Sequence, residues 1–233
     1  MLNSALIIFS IHLPAVNGYA VNKRSKSFVH TGEFYGHLLL DTVEKFSRVP
    51  YAAPIVFAAD ADEASTVSSA FPTLRVSIQA GESRRERIRG AIEDTFGEGY
   101  RQVVLVLSTT ATIPHRIPEC AFTLLDTLED VVVLAPTTQG GYYLLGLRHP
   151  HEEVLSVVDF DDPDLYERTI RALPATETAL YLLHTWRDLR SIEDVHELWT
   201  QIQFYPITRD ILPRTSSFLD HHASQLFPSG ISV

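Results

Sequence analysis

Several residue groupings in this chain could do chemistry. Asp60 and Asp62 stand one residue apart after a short apolar run, a spacing that can hold a divalent cation between carboxylates. The same Asp60 can instead cap the helix that would begin after it, and capping is the reading adopted. Asp159, Asp161, Asp162 and Asp164 form a second acidic group, read as a solvated loop leading into a helix cap. His149 with His151, and His221 with His222, are two imidazole pairs. Neither has the helical His-Glu-x-x-His spacing or nearby cysteines, so both are read as surface histidines rather than zinc ligands. Cys120 is the only cysteine and reads as a small core hydrophobe rather than a nucleophile. Trp186 and Trp199 sit on amphipathic segments and read as core rather than as a stacking platform for a sugar. Gly140-Gly141 before Tyr142 has two readings: a tight turn, or a place where a ligand approaches a backbone without side chains.

Alternating strands and helices must position these residues. The apolar runs Ala5–Phe9, Ile55–Ala59, Leu74–Ile78, Val103–Leu107 and Val131–Ala135 read as strands, four of them continuous enough to be buried on both faces, with Tyr142–Leu147 as a further strand. Helices are expected over Glu33–Phe46, Ala61–Ala70, Pro118–Leu128 and from Asp162-Pro163 to Leu173. Ser83-Arg84-Arg85-Glu86 is a capping box opening a helix that Gly97 and Gly99 end, with Ile88, Ala91, Ile92 and Phe96 on one face. Ser191 and Asp194 frame another, with Val195, Leu198, Trp199 and Ile202 apolar. The expected architecture is a three-layer α/β/α domain with a mainly parallel sheet over residues 1–203, followed by an irregular arm over 204–233. In such sheets ligands lie beyond the carboxyl ends of the strands, which directs attention to the loops after Phe9, Ala59, Ile78, Leu107 and Ala135. The first is long and contains the basic cluster Lys23-Arg24-Ser25-Lys26.

With 233 residues the chain can bury one sizeable core but is short for two ordinary domains. A formal net charge of −10 argues against non-specific binding to nucleic acid or an anionic membrane. One cysteine allows no intrachain disulfide, and the start lacks the basic and long apolar regions of a signal peptide, so a cytoplasmic protein is expected. Oligomeric state is left open.

The loops also carry a series of motifs. Gln139-Gly140-Gly141-Tyr142-Tyr143-Leu144-Leu145-Gly146-Leu147 resembles the Asp-Gly-Gly-Tyr-Tyr-Leu-Ile-Gly-Leu signature of a bacterial family of glycosyltransferases with the nucleotide-diphospho-sugar transferase (GT-A) fold, related to phospholactate guanylyltransferase. Gln79-Ala80-Gly81 with Glu86-Arg87 is similar to its Gln-x-Gly…Gly-Glu-Arg segment, and Val133-Leu134-Ala135-Pro136 to the run before its double glycine. Asp188-Leu189-Arg190-Ser191-Ile192-Glu193-Asp194-Val195 resembles its Asp-Val-Asp-Thr-x-Glu-Asp-Leu. The resemblance spans roughly residues 4–200.

It implies a nucleotide or nucleotide-sugar ligand near Lys23, Arg24, Gln79, Gly81, Arg87, Ser108, Thr110 and Arg190, and an acceptor near Gln139, Gly140, Gly141 and Tyr142. It also exposes departures. Three family acids read here as Thr110, Gln139 and Arg190, and the basic N-terminal loop is scrambled. Neutral oxygens do not replace two carboxylates around Mg²⁺ or Mn²⁺, and an arginine repels the ion. No metal cofactor is therefore expected, and the chain is expected to be a glycosyl- or nucleotidyltransferase homologue whose metal-dependent transfer is weak or absent, the alternative being a non-catalytic nucleotide-binding or scaffold protein on the same fold. Thr110, Gln139 and Arg190 are expected around one pocket, with Arg190 as a single fixed cation among no acids or as half of a surface ion pair with Asp188 or Glu193.

Overall fold

The computed structural model describes residues 3–11, 31–127, 129–159, 162, 164–173 and 178–226. Seven strands form one sheet in the order β3-β2-β1-β4-β6-β5-β7. They are β1 (Ser4–Phe9), β2 (Ala52–Ala58), β3 (Arg75–Ile78), β4 (Gln102–Leu107), β5 (Val131–Pro136), β6 (Tyr142–Leu147) and β7 (Ala179–Leu182). All pairings are parallel except those of β6, which runs antiparallel between β4 and β5. The nine helices assigned among the described residues are α1 (Thr31–Phe46), α2 (Ala61–Ala70), α3 (Arg84–Gly97), α4 (Arg116–Leu125), α5 (Glu152–Leu155), α6 (Leu165–Ala172), α7 (Ile192–Phe204), α8 (Pro206–Ile211) and α9 (Pro213–Leu226).

The apolar runs become the central strands because both faces are covered. On one face Ala5, Ile7 and Phe9 of β1 pack with Ile88 and Ile92 of α3 and with Val154 and Leu165. On the other, Leu6 and Ile8 pack with Leu39, Val43 and Phe46 of α1 and with Ala121 and Leu125 of α4. With successive side chains on opposite faces, a strand buried on both sides has no polar position to alternate.

Helix starts follow local chemistry. Asp60 caps α2, its side chain accepting from the Glu63 amide at 2.9 Å. Ser83 and Glu86 complete the expected capping box of α3, as do Ser191 and Asp194 for α7.

Three expectations need correction. Cys120 is exposed rather than inward, because α4 buries Pro118, Ala121 and Leu125 instead. Asp162 does not cap α6; its side chain accepts from the Asp164 amide at 2.9 Å, and the helix starts at Leu165. Asp161, Pro163 and Leu128 lie outside the described residues.

The third correction concerns the tail, which is helical over α8 and α9 rather than irregular. Pro206 and Pro213 open these helices, where a missing N–H costs nothing. Leu212, Phe218 and Leu219 join Phe34 and Leu38 of α1 and Leu198 and Trp199 of α7 in a third apolar cluster. No helix of the described residues is long and apolar enough to cross a membrane.

Candidate functional site at the carboxyl edge of the sheet

Parallel strands deliver their following loops to one edge, and hydrogen bonds there tie the loops together. After β1, the Ile11 amide donates to the Ser108 hydroxyl at 3.0 Å, and the Ser10 hydroxyl donates to the Glu63 carboxylate of α2 at 2.8 Å. Gln79, after β3, donates its side-chain amide to the carbonyls of Ser10 at 2.8 Å and Phe57 at 2.9 Å. Gln79 therefore holds the ends of β1 and β2 together. Arg87 is turned back onto its own loop, donating through Nε to the Gly81 carbonyl at 2.9 Å.

Gly81 is constrained by its turn. Its φ is +129°, and a Cβ there would stand 2.7 Å from the Cβ of Glu86. Gly81→Ala is expected to lower folding stability by about 1–3 kcal/mol, the usual cost of such strain. Urea denaturation would measure it, and a change within about 0.5 kcal/mol, as for an ordinary surface substitution, would mean that the turn relaxes freely.

A second group of loops meets around residues 187–191. After β4 the chain makes a single 3-10 turn, Ser108–Thr110, wholly buried. Thr110 directs its hydroxyl to the Leu107 carbonyl at 2.8 Å, and the Leu189 amide donates to the Thr109 carbonyl at 3.2 Å. Gln139, between β5 and β6, is a two-sided clip on the backbone of Asp188. Its Nε2 donates to the Asp188 carbonyl at 3.0 Å, and its Oε1 accepts from the Asp188 amide at 3.3 Å. Gly140 adopts φ +94°, the region that favours glycine. A side chain at Gly141 would meet the Arg190 guanidinium at 3.6 Å. Gln139, Gly141 and Arg190 thus come together, with Thr110 reached through its neighbour Thr109.

The electrostatics differ from a lone cation. Asp188 is 1% exposed. Its Oδ2 accepts from Arg190 Nε at 2.6 Å, while its Oδ1 is buried with no hydrogen-bond partner. The pair matches the expected Arg190–Asp188 contact, but it is not a surface pair, and the expected pocket without acids contains this carboxylate. Asp194 accepts from the Arg190 and Ser191 amides and from Arg187 Nε at 2.6 Å, so its charge is already engaged. Tyr35 donates to the Leu189 carbonyl at 3.0 Å, and burial, reinforced by Asp188 and Asp194, pushes its phenol well up.

Tyr142 corrects another expectation. It is fully buried, and burial pushes its phenol up as well, so an acceptor has no route to it. In a sheet covered on both faces, neither Tyr142 nor Tyr143 can reach the surface from within β6. Lys23 and Arg24 lie outside the described residues.

A cleft of about 230 Å³ opens beside this group, lined by Thr112, Thr138, Trp186, Leu189 and Gln201 among others. It adjoins the 187–190 loop but includes none of Gln79, Gly81 and Arg87. Trp199 is buried as expected, whereas Trp186 is half-buried on the cleft wall, its Nε1 donating to Thr112 Oγ1 at 2.8 Å.

Comparisons with known proteins bear on this arrangement. Residues 42–162, just over half of the chain, match the family described as "Uncharacterized protein conserved in bacteria (DUF2064)". No protein of curated function matches significantly. Among solved structures, a protein provisionally named as a nucleotide-diphospho-sugar transferase from Desulfovibrio desulfuricans G20 is similar with a TM-score of 0.78 at 22% identity, over 97% of each chain. A cytidylyltransferase from Leptospira borgpetersenii serovar Hardjo-bovis (strain JB197) superimposes with a TM-score of 0.56 at 11% identity, over 97% of each chain. A CMP:2-keto-3-deoxy-manno-octonic acid synthetase complexed with CTP gives 0.52 at 12% identity, over 85% of this chain and 99% of that one. The fold is that of the nucleotide-diphospho-sugar transferases.

Proposed function

Because the chain belongs to this bacterial DUF2064 family and has the transferase fold, we propose that it is a divergent transferase homologue that binds a nucleotide or nucleotide-sugar and has little or no metal-dependent transfer activity. The nucleotide would lie over the loops after β1, β3 and β4, and an acceptor near Gly140 and Gly141. A neighbour of the same fold complexed with CTP supports a nucleotide as the ligand class.

The observation that carries the reading is the Asp188–Arg190 pair at 2.6 Å, beside Gly141. The relatives' resemblance implies a divalent cation held on carboxylates here. The donors present fit it poorly. Asp188 is one carboxylate with a guanidinium already against it, Asp194 is engaged by α7 and Arg187, and Gln139 spends both ends of its amide on backbone. A dication would have to compete with a fixed cation for a single carboxylate, and it needs several hard oxygens. Among the described residues of this group, what is offered to a phosphate is the remaining donors of the Arg190 guanidinium, weakened by the neighbouring carboxylate. That arrangement favours modest binding over stabilisation of a leaving phosphate, and binding without transfer is its limiting case.

Calorimetric titration of CTP and UDP into the protein, in EDTA and then in Mg²⁺, tests this. Binding is expected in EDTA, with Mg²⁺ changing the affinity by less than about tenfold, or 1.4 kcal/mol. Binding that requires Mg²⁺, or Mg²⁺-dependent release of pyrophosphate or nucleoside diphosphate, would overturn the proposal.

A further inference from the structure

Among the described residues, a second group of ligating side chains converges at the opposite edge of the sheet. Asp130 immediately precedes β5, and His149 and His151 follow β6. The strands run antiparallel with Val132 opposite Leu147, so these flanking residues meet where β5 begins and β6 ends. His149 Nε2 lies 3.3 Å and His151 Nε2 3.1 Å from the same Asp130 Oδ1. The three ligand atoms all fall within 4.8 Å of one another, and the two imidazole rings are 4.0 Å apart at 31°.

The expectation of surface histidines holds for His149 but fails for His151, whose side chain is 4% exposed. His151 Nε2 and Asp130 Oδ1 are both buried without a hydrogen-bond partner, although they face each other. Buried polar atoms without partners are uncommon, and two facing each other at 3.1 Å are satisfied by a shared electrophile, either a proton or a metal ion. We propose that Asp130, His149 and His151 form a site for one divalent transition-metal cation of the zinc type, with a fourth coordination position open to solvent past His149.

Geometry and donor chemistry support the assignment. Bonds of ~2.1 Å at the tetrahedral angle put ligand atoms roughly 3.4 Å apart, close to the separations from the aspartate oxygen found here. Two imidazoles and one carboxylate suit Zn²⁺ and its transition-metal neighbours rather than Mg²⁺ or Ca²⁺, which prefer all-oxygen sets. The ligands are also oriented from behind. Thr178 donates to Asp130 Oδ2 at 2.8 Å, and His149 Nδ1 lies 3.4 Å from the Pro150 carbonyl, leaving Nε2 directed inward. The ion would fasten the start of β5, the end of β6 and the entry to α5, away from the nucleotide edge.

The test uses the full chain without a polyhistidine tag, stripped with EDTA and titrated with Co²⁺ and then Zn²⁺. One equivalent of Co²⁺ is expected to give visible ligand-field bands that one equivalent of Zn²⁺ abolishes. His149→Ala, at an exposed position, is expected to weaken Zn²⁺ binding by more than ~100-fold, beyond the loss usual for an outer-sphere residue. His149→Gln carries the same expectation should the alanine variant misfold. Replacing His221 and His222 with alanine together is expected to change nothing. Absence of the bands, or binding that survives His149→Ala and His149→Gln, would overturn the proposal and leave the group a proton-linked aspartate–histidine pair.

Discussion

Asp41→Ala is expected to lower folding stability by about 3–5 kcal/mol, the loss typical of removing one partner from a buried charged contact. Asp41 lies on α1 with its side chain fully buried. One oxygen accepts from the Thr215 amide and hydroxyl, both at 2.8 Å, and the other from the Arg214 amide at 3.2 Å and guanidinium at 3.1 Å. It is therefore the N-terminal cap of α9, supplied from another helix because Leu212, just before Pro213, offers no acceptor. The carboxylate also faces the positive end of the helix dipole. Without it, Thr215 keeps two buried donors unsatisfied, while Arg214 retains Glu44 at 2.6 Å. Asp41→Asn keeps the shape but turns an amide donor toward donors, and about half of the loss is expected, in line with single charged hydrogen bonds of roughly 1.5–3 kcal/mol. Urea unfolding followed by circular dichroism and tryptophan fluorescence reads both variants. A loss under ~1 kcal/mol for the alanine variant, the scale of a surface pair, would show that apolar packing alone holds α8 and α9 in place.

The same contact explains why the tail was illegible in the sequence. Its cap lies more than 170 positions away, and Pro206 and Pro213 look like breakers when they are first residues of helices. The central strands were legible because β1 and β4 after their first residues, Ser4 and Gln102, and β5 along its length are apolar, which only a sheet covered on both faces requires. β7 was not, although Ala179–Leu182 is itself apolar, because a run of four residues lying partly exposed at the sheet edge is too short to mark a strand by its pattern. Cys120 misled because a one-residue error in helical phase moves a side chain by about 100°, and Ala121 is the buried neighbour.

In the site, the resemblance pointed to Thr110, Gln139 and Arg190 around one pocket; Gln139 and Arg190 do meet at the loop around Asp188, whereas Thr110 turns its hydroxyl to the Leu107 carbonyl and connects there only through Thr109. The local capping chemistry of Asp60, Ser83 and Ser191 was equally readable, since each acts within four residues. Long-range roles were not. Nothing in the Gln-x-Gly segment marks Gln79 as the clip between β1 and β2, and nothing around Gln139 marks it as a clip on Asp188. Tyr142 carried a motif yet serves the core, because a strand inside a two-faced sheet overrides any surface role. The Asp130–His149–His151 group escaped since its members are brought together by the antiparallel pairing of β5 and β6, which local spacing does not encode.

Arg190→Ala is expected to destabilise the protein by about 2–3 kcal/mol, somewhat below the ~3–5 kcal/mol of a fully buried pair. The discount follows from exposure: the Arg190 side chain is 29% exposed while that of Asp188 is 2%, so water can partly replace the guanidinium. The variant strands a buried carboxylate whose other oxygen already has no hydrogen-bond partner. Combining it with Asp188→Asn removes the stranded charge and should recover roughly half of the loss, giving a coupling of about 1–2 kcal/mol between the two positions, within the range for residues in contact. Gln139 binds only the backbone of Asp188, so the loop clip persists in every variant and the comparison isolates the ion pair. Denaturant unfolding of wild type, both single variants and the double variant supplies the cycle. Strong coupling would mean that the Arg190 charge is held by Asp188, consistent with modest nucleotide binding and with no place for a dication. A coupling near zero, with Arg190→Ala within about 0.5 kcal/mol of wild type as for an ordinary surface change, would sink that account and leave the guanidinium available to a phosphate in full.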